Sequence, residues 1–380
     1  MKIASYNVEN LFDRAKVFNE SRSVSTDILR AASELNSLFE NPIYTDAIKA
    51  SMLELIVQLG LEDANESTFV LLRQIREHVI SRPQSGPQIV ANGRDDWVGW
   101  VELKTEAVNE IAVMNMGRVF RDVNADIFAV IETENRLVLK QFNDQVLQEV
   151  GGTPYEQVMV IDGNDTRGID VGLMTKNGYE IGLMRSHIHD LRPNGFPVYS
   201  RDCPEYAVST PHGEVIWVLP NHFKSKFGGN TPSSRAKRLA QAARTAEIYQ
   251  QLRAGGQDNV VVLGDLNDTP DSDELKPLIV DTDLKDVSDH STFDTGEFKG
   301  RPGSGERGIG TFGLGNDNDK IDFLLLSPAL FSRVDESGLF RKGAWPGSRP
   351  PRWIVYPELK EKTHVASDHH VIWAIIRDET

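Results

Sequence analysis

The sequence predicts an α/β protein built on two packed sheets with helices on the outside. Three observations carry this expectation. Apolar runs of strand length recur through the chain, several in hairpin-like succession. Helical patterns fall between groups of strands, which favours packed sheets over a simple parallel one. No Gly-x-Gly-x-x-Gly follows a strand and no Walker loop occurs, so the nucleotide-cofactor folds lack their phosphate-binding signature.

Taken in order, the first residues read as a strand with Ile3, Ser5 and Asn7 on one face and Ala4, Tyr6 and Val8 on the other. An interruption follows from about residue 13 to residue 103. In its middle, Ile48, Met52, Leu55, Ile56 and Leu59 keep the spacing of an amphipathic helix that Gly60 ends. A second helix is expected from Ser67, a good N-cap, to Ser81 before Pro83, burying Val70, Leu71, Ile75 and Val79. "RPQSGPQIVANGRDD" is loop chemistry, and the two tryptophans of "WVGW" after it need a surface to bury against. From Lys104 the pattern is regular. A helix through Val108, Ile111, Ala112, Met116 and Val119 leads into the strand "DIFAVIETEN". Strands follow at 156–161, 169–175, 179–185, 205–209 and 214–221. A helix over roughly 233–253 opens at Ser233 or Ser234 after Pro232. Strands at 259–264, 320–326 and 370–376 complete the set, while 294–319 and 341–352, rich in Gly, Pro and Arg, read as long loops. The reading is one domain over residues 1–380, with 13–103 a mostly helical insertion after the first strand.

Apolar residues make up 39% of the 380 and charged residues 26%, an ordinary balance for a globular chain. No run reaches the roughly 18 apolar residues of a membrane span. "MKIASYNVENLF" lacks a secretory h-region, so a cytoplasmic protein with no membrane association is expected. Cys203 is the sole cysteine and reads as a spectator. The net charge of −15 opposes nonspecific adhesion to nucleic acid or anionic lipid over the whole surface, yet leaves room for a local basic groove.

The functional signal lies at the strand ends. "VVVLGDLNDTP" runs from four apolar residues into Asp265, Asn267 and Asp268, a cluster of hard oxygen ligands. The same pattern puts Asn7 and Glu9 after the first strand, Glu132 after "FAVI" and Asn221 and His222 after "VIWVLP". Asp322 stands at the start of "DFLLL", and Asp368 and His369 precede the last strand. Any one of these is more often a turn or a solvated residue than a ligand. Six such ends in one chain point to a cleft at a sheet edge. Carboxylates with amides suit Mg²⁺ or Mn²⁺, whereas zinc lacks its His-x-x-x-His helix pair and thiolates. Two imidazoles with carboxylate partners add what cleavage of a phosphate ester needs besides a metal.

At these residues the chain resembles the endonuclease/exonuclease/phosphatase family. "SYNVENLF", "ADIFAVIETEN", "RGIDVGLM", "NHFKSK", "GDLNDTP", "KIDFLLLS" and "SDHHVIWA" stand in the family's order, covering residues 1–12 and about 104–377. The resemblance implies a four-layer α/β/β/α sandwich of two mixed sheets, with a divalent metal at their top. It implies Glu132 as principal metal ligand, assisted by Asn7 and Asp368, and Asp265 as the residue that orients or deprotonates the attacking water. Asn267 is implied to hold that water or a phosphate oxygen, and His369 to be a catalytic histidine fixed by Asp322. His222 is implied to donate to the phosphate or leaving oxygen, with Asp170 as its partner and Arg167 as a phosphate contact.

Positive charge is local. Lys224 and Lys226 follow the His222 strand, and Arg235, Lys237, Arg238 and Arg244 lie on the helix after it, either a solvated face or a border of the cleft. Arg341, Lys342, Arg349 and Arg352 stand near Trp345 and Trp353, an arrangement that tracks phosphates and stacks bases or that packs its tryptophans inward. A metal-dependent nuclease acting on DNA or RNA is the first expectation, with Lys224 beside Arg167 and Asp170 at the substrate. A phosphatase or phosphodiesterase for a small or lipid substrate is the second, and a silent binding module the third. The insertion is expected to act as a lid or to meet a protein partner.

Overall fold

The computed structural model describes residues 1–9, 11–20, 22–165, 167–226, 230–296, 308–347 and 351–378. The chain forms two compact units, one of Met1–Phe12, Val108–Lys226 and Asn230–Thr380, the other built on Asp13–Ala107.

The larger unit holds two mixed sheets. One has seven strands in the order Phe293–Asp294, Val334–Phe340, Val371–Ile376, Lys2–Asn7, Ile127–Thr133, Asp170–Thr175 and Gln157–Ile161. The other has six, in the order Glu180–Arg185, Glu205–Ser209, Val215–His222, Val260–Asp265, Asp322–Leu326 and Lys285–Asp286. Six strands carry the polar ends of interest: β1 (Lys2–Asn7), β2 (Ile127–Thr133), β3 (Val215–His222), β4 (Val260–Asp265), β5 (Asp322–Leu326) and β6 (Val371–Ile376). β1 runs parallel to β2 and antiparallel to β6; β4 runs parallel to β3 and antiparallel to β5.

Alternation along each strand builds four layers. Ile3, Ile127, Ala129, Val261, Leu263 and Leu324 meet between the sheets. Ala4, Tyr6, Phe128 and Val130 face the other way, onto Met116, Val119 and Phe120 of helix α1 (Glu110–Val123). Val260, Val262, Phe323 and Leu325 face Ala242, Ala246 and Tyr249 of helix α2 (Pro232–Ala254). Both faces of β4 are therefore covered, which is why "VVVL" is apolar without alternation. Every residue of β4 is buried. Thr231 caps α2, its side chain accepting from the Ser234 N–H, and Pro232 takes the first turn, so the helix opens ahead of the expected Ser233. The strand Val334–Phe340 was not legible in "VDESGLF", where two acids and a glycine mask the pattern.

The second unit departs from expectation in its second half. Arg22–Phe39 and Asp46–Gln58 are helices, the latter followed by Gly60 at φ +69°. The helix expected over 67–81 is not formed. Val70–Arg76 is instead a strand paired antiparallel with Val98–Leu103, and Ile80–Ser81 pairs with Gln88–Ile89. Val70 and Leu72 are buried while Arg73 and Ile75 are exposed, so alternation and an available partner strand override the helical spacing. The α-helices of the insertion thus lie only in its first half. Trp97 is buried edge-on against Phe39 and donates to the Tyr44 hydroxyl, whereas Trp100 is 44% exposed. The unit's chain enters and leaves side by side, Asp13–Ala15 pairing antiparallel with Thr105–Ala107. Among the described residues no helix is long and apolar enough to cross a membrane.

Candidate active site

Three site residues share one rung of the six-stranded sheet. His222 of β3 pairs in register with Asp265 of β4, and Asp265 with Asp322 of β5. The neighbouring residue has to be glycine. Gly264 sits at φ +127°, and a Cβ there would lie 2.0 Å from the Asn221 carbonyl oxygen. Beyond the strand the chain turns sharply: Asn267, at φ +56°, donates its N–H to Asp265 Oδ1 (2.8 Å) and its Nδ2 to the Phe223 carbonyl (3.2 Å). Asp268, grouped with them by sequence, is a structural residue instead. It is buried and accepts from Arg238 Nε at 2.9 Å while pairing with Lys226.

The other sheet closes over this rung. Asn7, at the end of β1, donates from Nδ2 to Asp265 Oδ2 at 3.2 Å. Glu132 of β2 brings Oε1 to 3.4 Å from His222 Nε2, which is also 3.6 Å from Asp265 Oδ2. Ser367 Oγ donates to the Asn7 carbonyl (2.7 Å) and accepts the His369 N–H (3.0 Å), so β1 sets the position of the histidine. His369 Nδ1 is hydrogen-bonded to Asp322 Oδ2 at 2.8 Å, and Nε2 lies 4.0 Å from Asp265 Oδ2 and 3.9 Å from Asp368 Oδ1. Thr311 Oγ1 accepts from the Ile321 and Asp322 N–H groups, and Phe312 meets the His369 ring edge-on at 5.0 Å. Asn7, Glu132, His222, Asp265, Asn267, Asp322, Asp368 and His369 therefore come together. Glu9, Glu132 and Asn267 all adopt left-handed backbone, strain that a site can hold only when its surroundings fix it.

Charge is crowded here. Burial first, then repulsion from Asp322 and Glu132, pushes the Asp265 carboxyl up to about 7 against the pull of His369. Burial opposes charge on His369, but Asp322, Asp265 and Asp368 outweigh it and hold the imidazole well above its ordinary value. Burial and the Arg201 and Arg167 guanidiniums keep His222 well below its ordinary value, hence neutral. Asp322 Oδ1 is a buried acceptor with no hydrogen-bond partner. A divalent cation fits such a set of hard oxygens, since it would relieve the repulsion that raises Asp265. Asp265, Asp322 and His369 bring one ligand atom each within 4.8 Å of one another. His369 Nδ1 and Asp322 Oδ2 already satisfy one another, and Asn7 Oδ1 accepts the Glu9 N–H at 3.0 Å.

A cationic cluster adjoins this centre. Arg167 forms a fork onto Asp165 (Nε–Oδ1 3.0 Å, Nη2–Oδ2 2.8 Å). Arg201 reaches the same carboxylate at 2.9 Å and donates to the Phe223 carbonyl at 2.7 Å, the acceptor it shares with Asn267. Burial opposes its ionisation, but Arg167 and Arg201 hold Asp165 well below the usual carboxylate range. Burial, Arg167 and Arg201 push the Lys224 ammonium down to about 8. The expected link from Asp170 to His222 is not made: Asp170 accepts the Gly163 N–H at 2.7 Å, and His222 Nδ1 has no partner. Burial raises the Asp170 carboxyl to about 7 against that N–H. Neither Arg201, in "RDCPEY", nor Asp165, in "DGNDTRG", stands in one of the seven motifs, and the fold alone brings them together.

Other basic residues are spoken for. Arg235 pairs with Glu274, Arg238 with Asp268, and Arg244 with Asp190 and Glu247. Arg341 is buried, its guanidinium on the carbonyls of Thr295, Gly310 and Gly308, and Trp353 is buried beside it. That half of the basic-aromatic loop is scaffold; Arg349 lies outside the described residues.

A protein-family model described as "Endonuclease/Exonuclease/phosphatase family" matches residues 87–337. No curated protein matches the chain. Among solved structures, a Bacteroides thetaiotaomicron mannosyl-6-phosphatase is similar at 15% identity, covering 70% of this chain and 90% of that one (TM-score 0.48). Truncated Caenorhabditis elegans TDP2 is similar at 17% identity, 70% and 90% coverage and TM-score 0.44. The human Nocturnin catalytic domain with bound sulfate gives 13% identity, 72% and 89% coverage and TM-score 0.47.

Proposed function

The chain belongs to the endonuclease/exonuclease/phosphatase family of phosphate-ester hydrolases, which generally use divalent metals, and from that premise we propose that it is a nuclease cleaving phosphodiester bonds of DNA or RNA. The observation that carries the reading is the His369–Asp322 pair facing the Asp265 carboxyl across 4.0 Å, within reach of Asn7, Glu132 and His222. Such a set offers a charged donor, a candidate base and a ligand group in one cluster.

Glu132, with Asn7 and Asp368, would hold Mg²⁺ or Mn²⁺, which supplies Lewis-acid stabilisation of charge on the phosphate oxygens. Asp265 orients the attacking water and takes its proton; Asn7 and the Asn267 N–H fix the two carboxylate oxygens that do so. His369, charged and clamped by Asp322, donates from Nε2 to a nonbridging oxygen. Neutral His222 donates to the phosphate or to the leaving oxygen, and Arg167 supplies positive charge beside it. A polyanionic strand, with a charge on every nucleotide, gives the Arg167 and Lys224 cations more than one phosphate to meet. We place the reaction in the cytoplasm, where the single buried Cys203 needs no oxidising environment.

The test is chelator-sensitive cleavage of plasmid, single-stranded DNA, RNA and bis(p-nitrophenyl) phosphate. Mg²⁺ or Mn²⁺ should restore activity after EDTA. Asp265→Asn and His369→Ala should each lower kcat by about 10²- to 10⁴-fold with the fold retained by circular dichroism. Cleavage that survives both substitutions refutes the assignment, and turnover of phosphate monoesters alone favours a phosphatase.

A further inference from the structure

Lys224 and Lys237 are the cations that the machinery above leaves unanswered. Neither ammonium has an ion pair or hydrogen bond among the described residues, although Arg235, Arg238 and Arg244 on the same helix are all paired. The two belong to one patch. Lys237 and Gln241 are one turn apart on α2, and Gln241 Oε1 accepts the Lys224 N–H at 2.8 Å. That bond fixes the amide's orientation and leaves the buried Gln241 Nε2 without an acceptor. Arg201 Nε and Arg192 Nε are likewise buried donors with no partner. Phe223, whose carbonyl takes Arg201, directly precedes Lys224 in the chain, and burial, then Arg201 and Arg192, pushes Lys237 down to about 8. Among the described residues Asp165 is the one carboxylate that ion-pairs within this group, and Arg167 and Arg201 already share it. Unanswered donors and cations in a chain of net charge −15 call for an anion.

We propose that Lys224, Lys237, Arg201 and Gln241 form a subsite for a second phosphate group of the substrate, separate from the phosphate that is cleaved. Phe223 links the two places: its carbonyl takes Arg201 on one side and Asn267 of the catalytic turn on the other. Such a subsite makes the enzyme selective for substrates carrying two phosphates close together, and against isolated diesters. The second phosphate is either a terminal monoester or the next diester along a strand; the chemistry recognised is the same. The inference rests on the phosphodiesterase reading for its place in catalysis, but not for the binding itself.

The experiment compares kcat/KM for a dinucleotide without a terminal phosphate, the same dinucleotide with a 5′-phosphate, and the trinucleotide, using wild type and Lys237→Gln. In wild type the phosphorylated dinucleotide or the trinucleotide should be preferred by about tenfold or more, and the preferred one identifies the source of the second phosphate. Lys237→Gln should bring that ratio close to one. Equal values for all three in wild type, or a ratio untouched by the substitution, overturns the subsite. Calorimetric titration of inorganic phosphate in EDTA gives an answer even when no diester is cleaved, an outcome that would remove the nuclease reading alone. Phosphate should bind wild type and bind Lys237→Gln at least about tenfold more weakly; no binding, or equal binding, rejects the subsite.

Discussion

Asp265 is the residue on which the site's electrostatics turn. Its carboxyl is raised to about 7, whereas an unfolded aspartate titrates near ~3.9, so between those values the folded, metal-free chain holds a proton that the unfolded chain has released. Stability from this group is complete below the unfolded value and is lost as pH rises through the folded one. His369 acts in the same sense: its raised pKa contributes stability present below the ordinary imidazole value and lost as pH climbs past the folded one. The EDTA-treated protein should therefore show a Tm that falls between about pH 4 and 7 more steeply than that of Asp265→Asn. A divalent cation should flatten the difference, because it compensates the same crowded charge. Identical pH slopes for the two proteins would show that Asp265 is not raised.

At the scale of elements, the site depends on how closely β3 and β4 approach. Gly264→Ala would set a methyl 2.0 Å from the Asn221 carbonyl and force a side chain into positive φ. The cost should exceed about 2 kcal/mol, and activity should fall more than stability because the His222–Asp265 rung is displaced. Thermal melts and turnover measured together check this; a Tm within about 1 °C of wild type contradicts it. The strand ends were readable in sequence because each combined an apolar run with a polar stop, as in "VVVLGD" and "DFLLL". Asp268 looks like a third ligand in "GDLND", and only the position of Arg238, 30 residues away, turns it to structural use. The segment 67–81 satisfies a helical period and forms strands because Val98–Leu103 is there to pair with it, information no local window holds. Arg201 belongs to no motif, and its role follows from Asp165 and Phe223 meeting it in space.

Across the whole molecule, two separate cores predict two cooperative transitions. The 13–107 unit closes on Phe39, Tyr44, Leu72, Val101 and the fully buried Trp97, and the sheets close on their own clusters. Trp97→Ala should cost about 3–5 kcal/mol within that unit. Scanning calorimetry should show one transition lowered and the other unmoved; a single transition shifting as a whole would contradict this division. The architecture of the sheets was legible from the order of strands and stops, while the β half of the insertion was not, since Val70–Arg76 finds its partner Val98–Leu103 only across a long intervening segment. The side-by-side pairing of Asp13–Ala15 with Thr105–Ala107 carries a consequence for the chain's history. A segment that departs and comes home through neighbouring doors can be lengthened, traded or trimmed as a local edit, with the hydrolytic chassis keeping its wiring, so related hydrolases are free to carry unlike attachments at this seam.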